Sequence, residues 1–194
     1  MRLAVLLSGR GSNFETIYRA NVAEIVCVIS NRPDAPGIAR AREYGLAAHV
    51  FDHRKYPTRQ AHEEDVLRAI AEAEPDFIAL AGYMRLLSPA FVAAYPNRIL
   101  NIHPSLLPAF PGVDAQAQAV RYGVKVSGCT VHFVDENLDA GPIIVQRAVP
   151  VLDGDTGETL AARILEQEHA AYVEALRALA TRTWRVEGRR VVFG

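Results

Sequence analysis

The chain has 194 residues, 50% of them hydrophobic, and a formal net charge of -1. That is enough to bury one sizeable α/β core, and it gives no electrostatic ground to expect nucleic acid or an anionic membrane as partner. The 2 cysteines lack CxxC spacing and no apolar run approaches the ~20 residues of a membrane span, so a single-domain cytoplasmic protein without disulfide or metal site is expected.

Residues 2–7 are a continuous apolar run and predict a strand, followed at once by Ser8-Gly9-Arg10-Gly11-Ser12-Asn13 and a helix-like segment over 14–20. Glycines let the backbone come close to a ligand, and the positive end of a helix favours an anion such as a phosphate ester. A dinucleotide-binding reading fails twice. Its third glycine is missing before Phe14, and Ser30-Asn31 follow the second strand, 24–29, where a ribose-binding acid would stand. A purely structural glycine turn is the other alternative at this position.

Pro36-Gly37 open a helix to about residue 44, Gly45 ends it, and 47–51 read as a third strand. After a polar loop, 58–73 read as an amphipathic helix on Val66, Leu67, Ile70 and Ala73. A fourth strand over 76–81 empties into Gly82-Tyr83-Met84-Arg85-Leu86-Leu87-Ser88-Pro89, with a short helix over 88–94 and a fifth strand over 98–102. Repeated βα units with right-handed crossovers predict a parallel sheet with ligands at the carboxyl ends of its strands.

The fifth strand runs into Asn101-Ile102-His103-Pro104-Ser105-Leu106-Leu107-Pro108-Ala109-Phe110-Pro111-Gly112. Strand alternation puts Asn101 and His103 on one face, and the prolines that follow leave the loop little entropy to lose on ordering. A lone histidine here would more often be structural than catalytic. Ser105 reads as a loop-stabilising hydroxyl rather than a nucleophile, and a sharp turn between prolines predicts a cis bond at Leu107-Pro108.

Residues 114–122 then read as helix, and 125–135 and 142–151 as strands that can pair antiparallel. Asp155 with Glu158 is expected to cap a helix over 156–180 whose apolar stripe is Ile164, Leu165, Tyr172, Leu176 and Leu179. Glu168 interrupts that stripe, and the pattern leaves open whether it faces the protein body or bends to solvent. A hairpin with Glu187-Gly188 near its turn closes the chain over 184–193.

Five of these stretches together carry a likeness. They are Ser8-Gly9-Arg10-Gly11-Ser12-Asn13, the loop from Ala81 to Pro89, the run from Asn101 to Gly112, Thr130-Val131-His132-Phe133-Val134 with Asp139-Ala140-Gly141-Pro142, and Glu166-Gln167-Glu168-His169. Over nearly its whole length the chain resembles the folate-dependent formyltransferases. The resemblance implies a Rossmann-like α/β formyltransferase fold: a mostly parallel twisted sheet with helices on both faces and an antiparallel C-terminal part. It also implies one domain over 1–194, with a phosphate-binding half at 1–100 and a catalytic half at 101–194. The implied reaction moves the formyl group of 10-formyltetrahydrofolate to the amine of 5'-phosphoribosylglycinamide, in purine synthesis.

By the same resemblance Asn101, His103 and Asp139 are catalytic. Gly11, Ser12 and Asn13 would hold the substrate phosphate and Glu168 its ribose or glycinamide part. The folate would meet Met84, Arg85, Leu86, Leu87 and Asn101, with Arg59 at its carboxylate tail and Arg54 as the competitor. The implied partners are these small molecules, with no metal, NAD, nucleic acid or membrane, and a homodimer is left open. Formyltetrahydrofolate deformylase, the tRNA formyltransferase and sugar formyltransferases share the Asn-His-Asp set but carry other architectures. A non-catalytic phosphate-binding module is the reading from another class; it would keep its ligand after His103→Ala and transfer no formyl group.

Overall fold

The computed structural model describes residues 1–194, which divide into two compact units, Met1–Leu100 and Asn101–Gly194. In the first unit the strand order is β3-β2-β1-β4, with β1 (Arg2–Leu7), β2 (Glu24–Ser30), β3 (Ala48–Val50) and β4 (Phe77–Leu80). Every pairing among them is parallel, as crossover connections require. The run Leu3 to Leu7 is wholly buried, which explains why it is apolar throughout rather than alternating.

Around these strands lie α1 (Ser12–Ala20), α2 (Pro36–Glu43), α3 (Arg59–Ala73) and α4 (Pro89–Ala94). Phe14 and Ile17 of α1, Ile38 and Ala41 of α2, and Val66 and Ile70 of α3 supply the core. Two expectations shift here. The first helix starts at Ser12, two residues early, because Gly11 takes the N-cap in a left-handed conformation (φ 75) that needs no side chain. The buried face of α3 is His62, Glu63, Val66 and Ile70, with Leu67 and Ala73 half-buried, so polar residues occupy part of the inward stripe.

In the second unit β5 (Ile99–His103), which begins at the end of the first, leads to α5 (Ala115–Tyr122), β6 (Val126–Phe133) and β7 (Ile143–Pro150). Strands β6 and β7 pair antiparallel, and β7 is followed in the sheet by β9 (Arg190–Phe193) and β8 (Trp184–Glu187), the closing hairpin. The long helix α6 (Gly157–Thr181) buries Leu160, Ile164, Ala171, Tyr172, Ala175, Leu176 and Leu179. Leu165 is half-buried, so the stripe passes through the smaller Ala171 and Ala175 instead.

The expected cap of α6 is corrected by the structure. Thr156, not Asp155, is the N-cap: its hydroxyl accepts from the Thr159 amide and Thr159 reaches back to the Thr156 amide, a reciprocal box without Glu158 in the N3 role. Asp155 is held by Arg163 at 2.7 Å, whose hydrogen bonds keep its carboxyl well below the usual carboxylate range. No helix is long and apolar enough to cross a membrane. Cys27 and Cys129 are free and buried, and burial pushes their thiols up to about 11 and about 12.

Candidate active site

The C-terminal end of β5 delivers Asn101 and His103 to one side, as the alternation requires, and the loop after β6 brings Asp139 to them. His103 Nδ1 lies 3.4 Å from Asp139 Oδ2, and both side chains are buried. The other ring nitrogen, Nε2, donates to the Phe110 carbonyl at 2.9 Å. With its proton at Nε2 committed, the ring presents Nδ1 to Asp139 either as a bare lone pair, which a carboxylate repels, or as an N–H, which it attracts. An N–H at Nδ1 would therefore donate to the Asp139 carboxyl.

Asp139 is fixed from a second direction by the Gly112 amide, which donates to Oδ2 at 2.8 Å. Both Asp139 (φ 51) and Phe110 (φ 52) sit in the left-handed region, so the backbone is bent at the two residues that hold the imidazole. Gly141 follows closely, and a Cβ there would fall 1.9 Å from the Phe133 carbonyl oxygen, so only glycine lets this loop return along β6.

Asn101 is anchored by a residue to which the sequence reading gave no role. His132 Nδ1 donates to the Phe133 carbonyl at 2.9 Å, which leaves Nε2 as an acceptor for Asn101 Nδ2 at 3.3 Å. Burial pushes the His132 ring down from its ordinary value and keeps it neutral, as an acceptor must be. Its Nε2 is also 3.9 Å from Asp139 Oδ1, so one imidazole touches both flanks of the triad. The motif Thr130-Val131-His132 was the signal that could have found it, since a polar residue two places after Thr130 shares its strand face.

The loop behind His103 is built from hydroxyls. Thr130 Oγ1 donates to the Ser105 carbonyl at 2.7 Å and accepts from the Leu107 amide at 3.0 Å, while Gln146 Nε2 donates to the Leu107 carbonyl at 2.9 Å. Ser105 Oγ donates to the Ala109 carbonyl, a loop-stabilising bond, and the Leu107-Pro108 bond is cis.

In the first unit Gly11, Ser12 and Asn13 form the cap and first turn of α1, where amides point out of the helix along its positive end. The turn is clasped by the start of α2: the Gly37 amide donates to the Gly9 carbonyl at 3.1 Å, and a Cβ on Gly11 would stand 3.0 Å from the Gly37 Cα. In the loop after β4, Met84 (81% exposed) and Leu86 (64%) present apolar side chains to solvent, while Arg85 and Leu87 are half-buried. Arg59 Nη2 donates to the Leu86 carbonyl and its Nε to Glu63 at 3.0 Å. Arg54 is instead turned onto Asp52 at 2.8 Å, which holds that carboxyl down at about 2. Of the two arginines, Arg59 is the one joined to the 82–88 loop. Glu168 is buried in the second unit, so it faces the protein body.

Comparison with known sequences decides the family. The formyl transferase family matches residues 1–176. The chain belongs to that family. Phosphoribosylglycinamide formyltransferase of Bacillus subtilis is 44% identical over 186 residues, covering 92% of this chain and 94% of that protein. The crystal structure of glycinamide ribonucleotide transformylase 1 from Symbiobacterium toebii superposes with a TM-score of 0.96 at 49% identity, covering 100% of this chain and 93% of that one. A third relative, the trifunctional purine biosynthetic protein adenosine-3 of Drosophila pseudoobscura pseudoobscura, is 47% identical over 187 residues; the chain spans 14% of its length. The expected formyltransferase fold is thus the fold observed.

Proposed function

We propose that the protein transfers the formyl group of 10-formyltetrahydrofolate to the amine of 5'-phosphoribosylglycinamide in purine synthesis. The observation that carries this reading is the buried pairing of His103 with Asp139 at 3.4 Å beside an Asn101 amide oriented by a neutral His132. The family membership and the names of the full-length relatives supply the substrate class.

The substrate amine attacks the formyl carbon, a C–N bond forms, and the carbonyl oxygen becomes an oxyanion. Asn101 Nδ2 gives one hydrogen to His132 and has a second for that oxyanion, and the His103 imidazolium adds a positive charge. Asp139, paired with His103, accepts the proton that the amine sheds. The proton passes to the folate nitrogen as its bond to the formyl carbon breaks, which releases tetrahydrofolate. The nucleophile belongs to the substrate, so Ser105, already bonded to Ala109, is not needed for covalent catalysis.

In the same reading the first-turn amides at Gly11, Ser12 and Asn13 take the phosphate, Glu168 takes the ribose or glycinamide part, and Met84, Arg85, Leu86, Leu87 and Asn101 take the folate, with Arg59 toward its tail. The free buried thiols suit a reducing compartment, which supports the cytoplasm as the location. The test is formylation of the amine by wild type and Asp139→Asn side by side. Wild type is expected to turn over and the variant, isosteric but uncharged, to lose most of its kcat at an unchanged melting temperature.

A further inference from the structure

The loop over 82–88 shows its apolar side chains to solvent, yet its main chain is fastened at both ends. At the front, the Ser8 amide donates to the Gly82 carbonyl at 3.0 Å and Ser8 Oγ accepts from the Met84 amide at 2.8 Å. That hydroxyl spends its own proton on Asn31 Oδ1 at 2.6 Å, so its orientation is fixed. At the back, Glu63 Oε1 accepts from the Ser88 amide at 3.0 Å and from Arg59 Nε at 3.0 Å, and Arg59 passes on to the Leu86 carbonyl. Glu63 is buried on the inward face of α3.

A carboxylate at that place is costly unless it does something a hydrocarbon could not. Its two donors come from the helix and from the loop, so it joins α3 to the residues whose side chains would meet a flat heterocycle. We infer that Glu63 is a positioning residue for the folate, holding the main chain of Leu86 to Ser88, directly and through Arg59, in the shape the folate binds. This rests on the placement of the folate against Met84, Arg85, Leu86 and Leu87 proposed above. Arg59 gains a second task by it, as a strut of the loop besides any contact with the folate tail.

The test measures binding of tetrahydrofolate and, separately, of 5'-phosphoribosylglycinamide to the full chain by calorimetry, in wild type, Glu63→Met and Glu63→Gln. Methionine keeps the volume of the stem and removes both acceptor contacts; glutamine keeps an Oε1 that accepts from Ser88 and Arg59. The expected result for Glu63→Met is a Kd for tetrahydrofolate raised about ten-fold, the size of one lost hydrogen bond to a charged group. Its Kd for the phosphoribosyl substrate should stay within about two-fold, and Glu63→Gln should recover most of the folate affinity. Equal folate affinity in wild type and Glu63→Met overturns the inference while leaving the proposed reaction standing. So does a parallel loss of both ligands, or a glutamine variant as weak as the methionine one. A wild type that binds no tetrahydrofolate overturns the proposed reaction and this inference together.

Discussion

The turn after β1, proposed to hold the phosphate, and the proposed triad after β5 are built by opposite means. At the turn the groups offered are main-chain amides, made available by a left-handed Gly11 packed against Gly37, and the identity of most side chains matters little. At the triad the groups are side chains, each held by at least one further bond: His103 by Phe110, Asp139 by Gly112, Asn101 by His132. A site made of backbone is broken by adding an atom, whereas a site made of side chains is broken by changing one.

Substitutions that preserve shape should therefore separate the two. Asp139→Asn, which leaves the volume alone and removes the charge, should lower kcat by about 10²–10⁴ with little change in KM for either substrate. His103→Ala should cost about 10²–10³ in kcat through the lost cationic partner of the oxyanion. Single-turnover rates would show that the chemical step is the one affected. Gly11→Ala should act on the other side of the contrast. It forces an alanine to φ 75 and pushes its Cβ to 3.0 Å from Gly37. The KM for the phosphoribosyl substrate should rise about ten-fold with kcat nearly intact, and the melting temperature should drop.

The buried histidine that anchors Asn101 sharpens the contrast through pH. His132 is held neutral below its ordinary 6.5 by burial. The unfolded chain takes up a proton near that ordinary value and the folded chain resists it. The stability tied to neutral His132 is complete above 6.5 and is lost as pH falls toward the lowered folded value. Near that lowered value a protonated Nε2 would face Asn101 Nδ2 with a hydrogen and release the amide. The urea midpoint should fall on acidification below about pH 6.5 and kcat only at lower pH, as the ring takes a proton in the folded chain, and His132→Gln should flatten part of the fall in the midpoint. His62, also pushed down by burial, adds a share of the stability effect but none of the kcat effect. The smallest effect is expected from Ser12→Ala, roughly two- to five-fold in KM, since the amide at that position survives the change.

The same contrast governs how much could be read from the residues alone. Strand and helix periodicity placed every strand and α-helix to within a few residues, while the single 3-10 turn His53–Lys55 lay in what read as a polar loop. The string from Asn101 to Gly112 with Asp139 named the three side chains proposed as catalytic, because side-chain chemistry is written in residue identity. What escaped depends on geometry that no local pattern encodes. His132 had no visible task until its Nδ1 was seen on the Phe133 carbonyl, which is what makes its other nitrogen an acceptor. Glu63 had no part in the apolar spacing of 58–73, and its inward direction follows from the Ser88 amide and Arg59 that it meets in the fold. Thr156 took the cap expected of Asp155 because Arg163, one turn or more along the helix, offered that carboxylate a stronger partner.

The fate of the formyl group tests the proposed reaction most directly. Purified protein supplied with 10-formyltetrahydrofolate and 5'-phosphoribosylglycinamide should yield one N-formylated product for each tetrahydrofolate released, and no formate. Release of formate and tetrahydrofolate with the amine left unmodified would contradict it and make the protein a hydrolase.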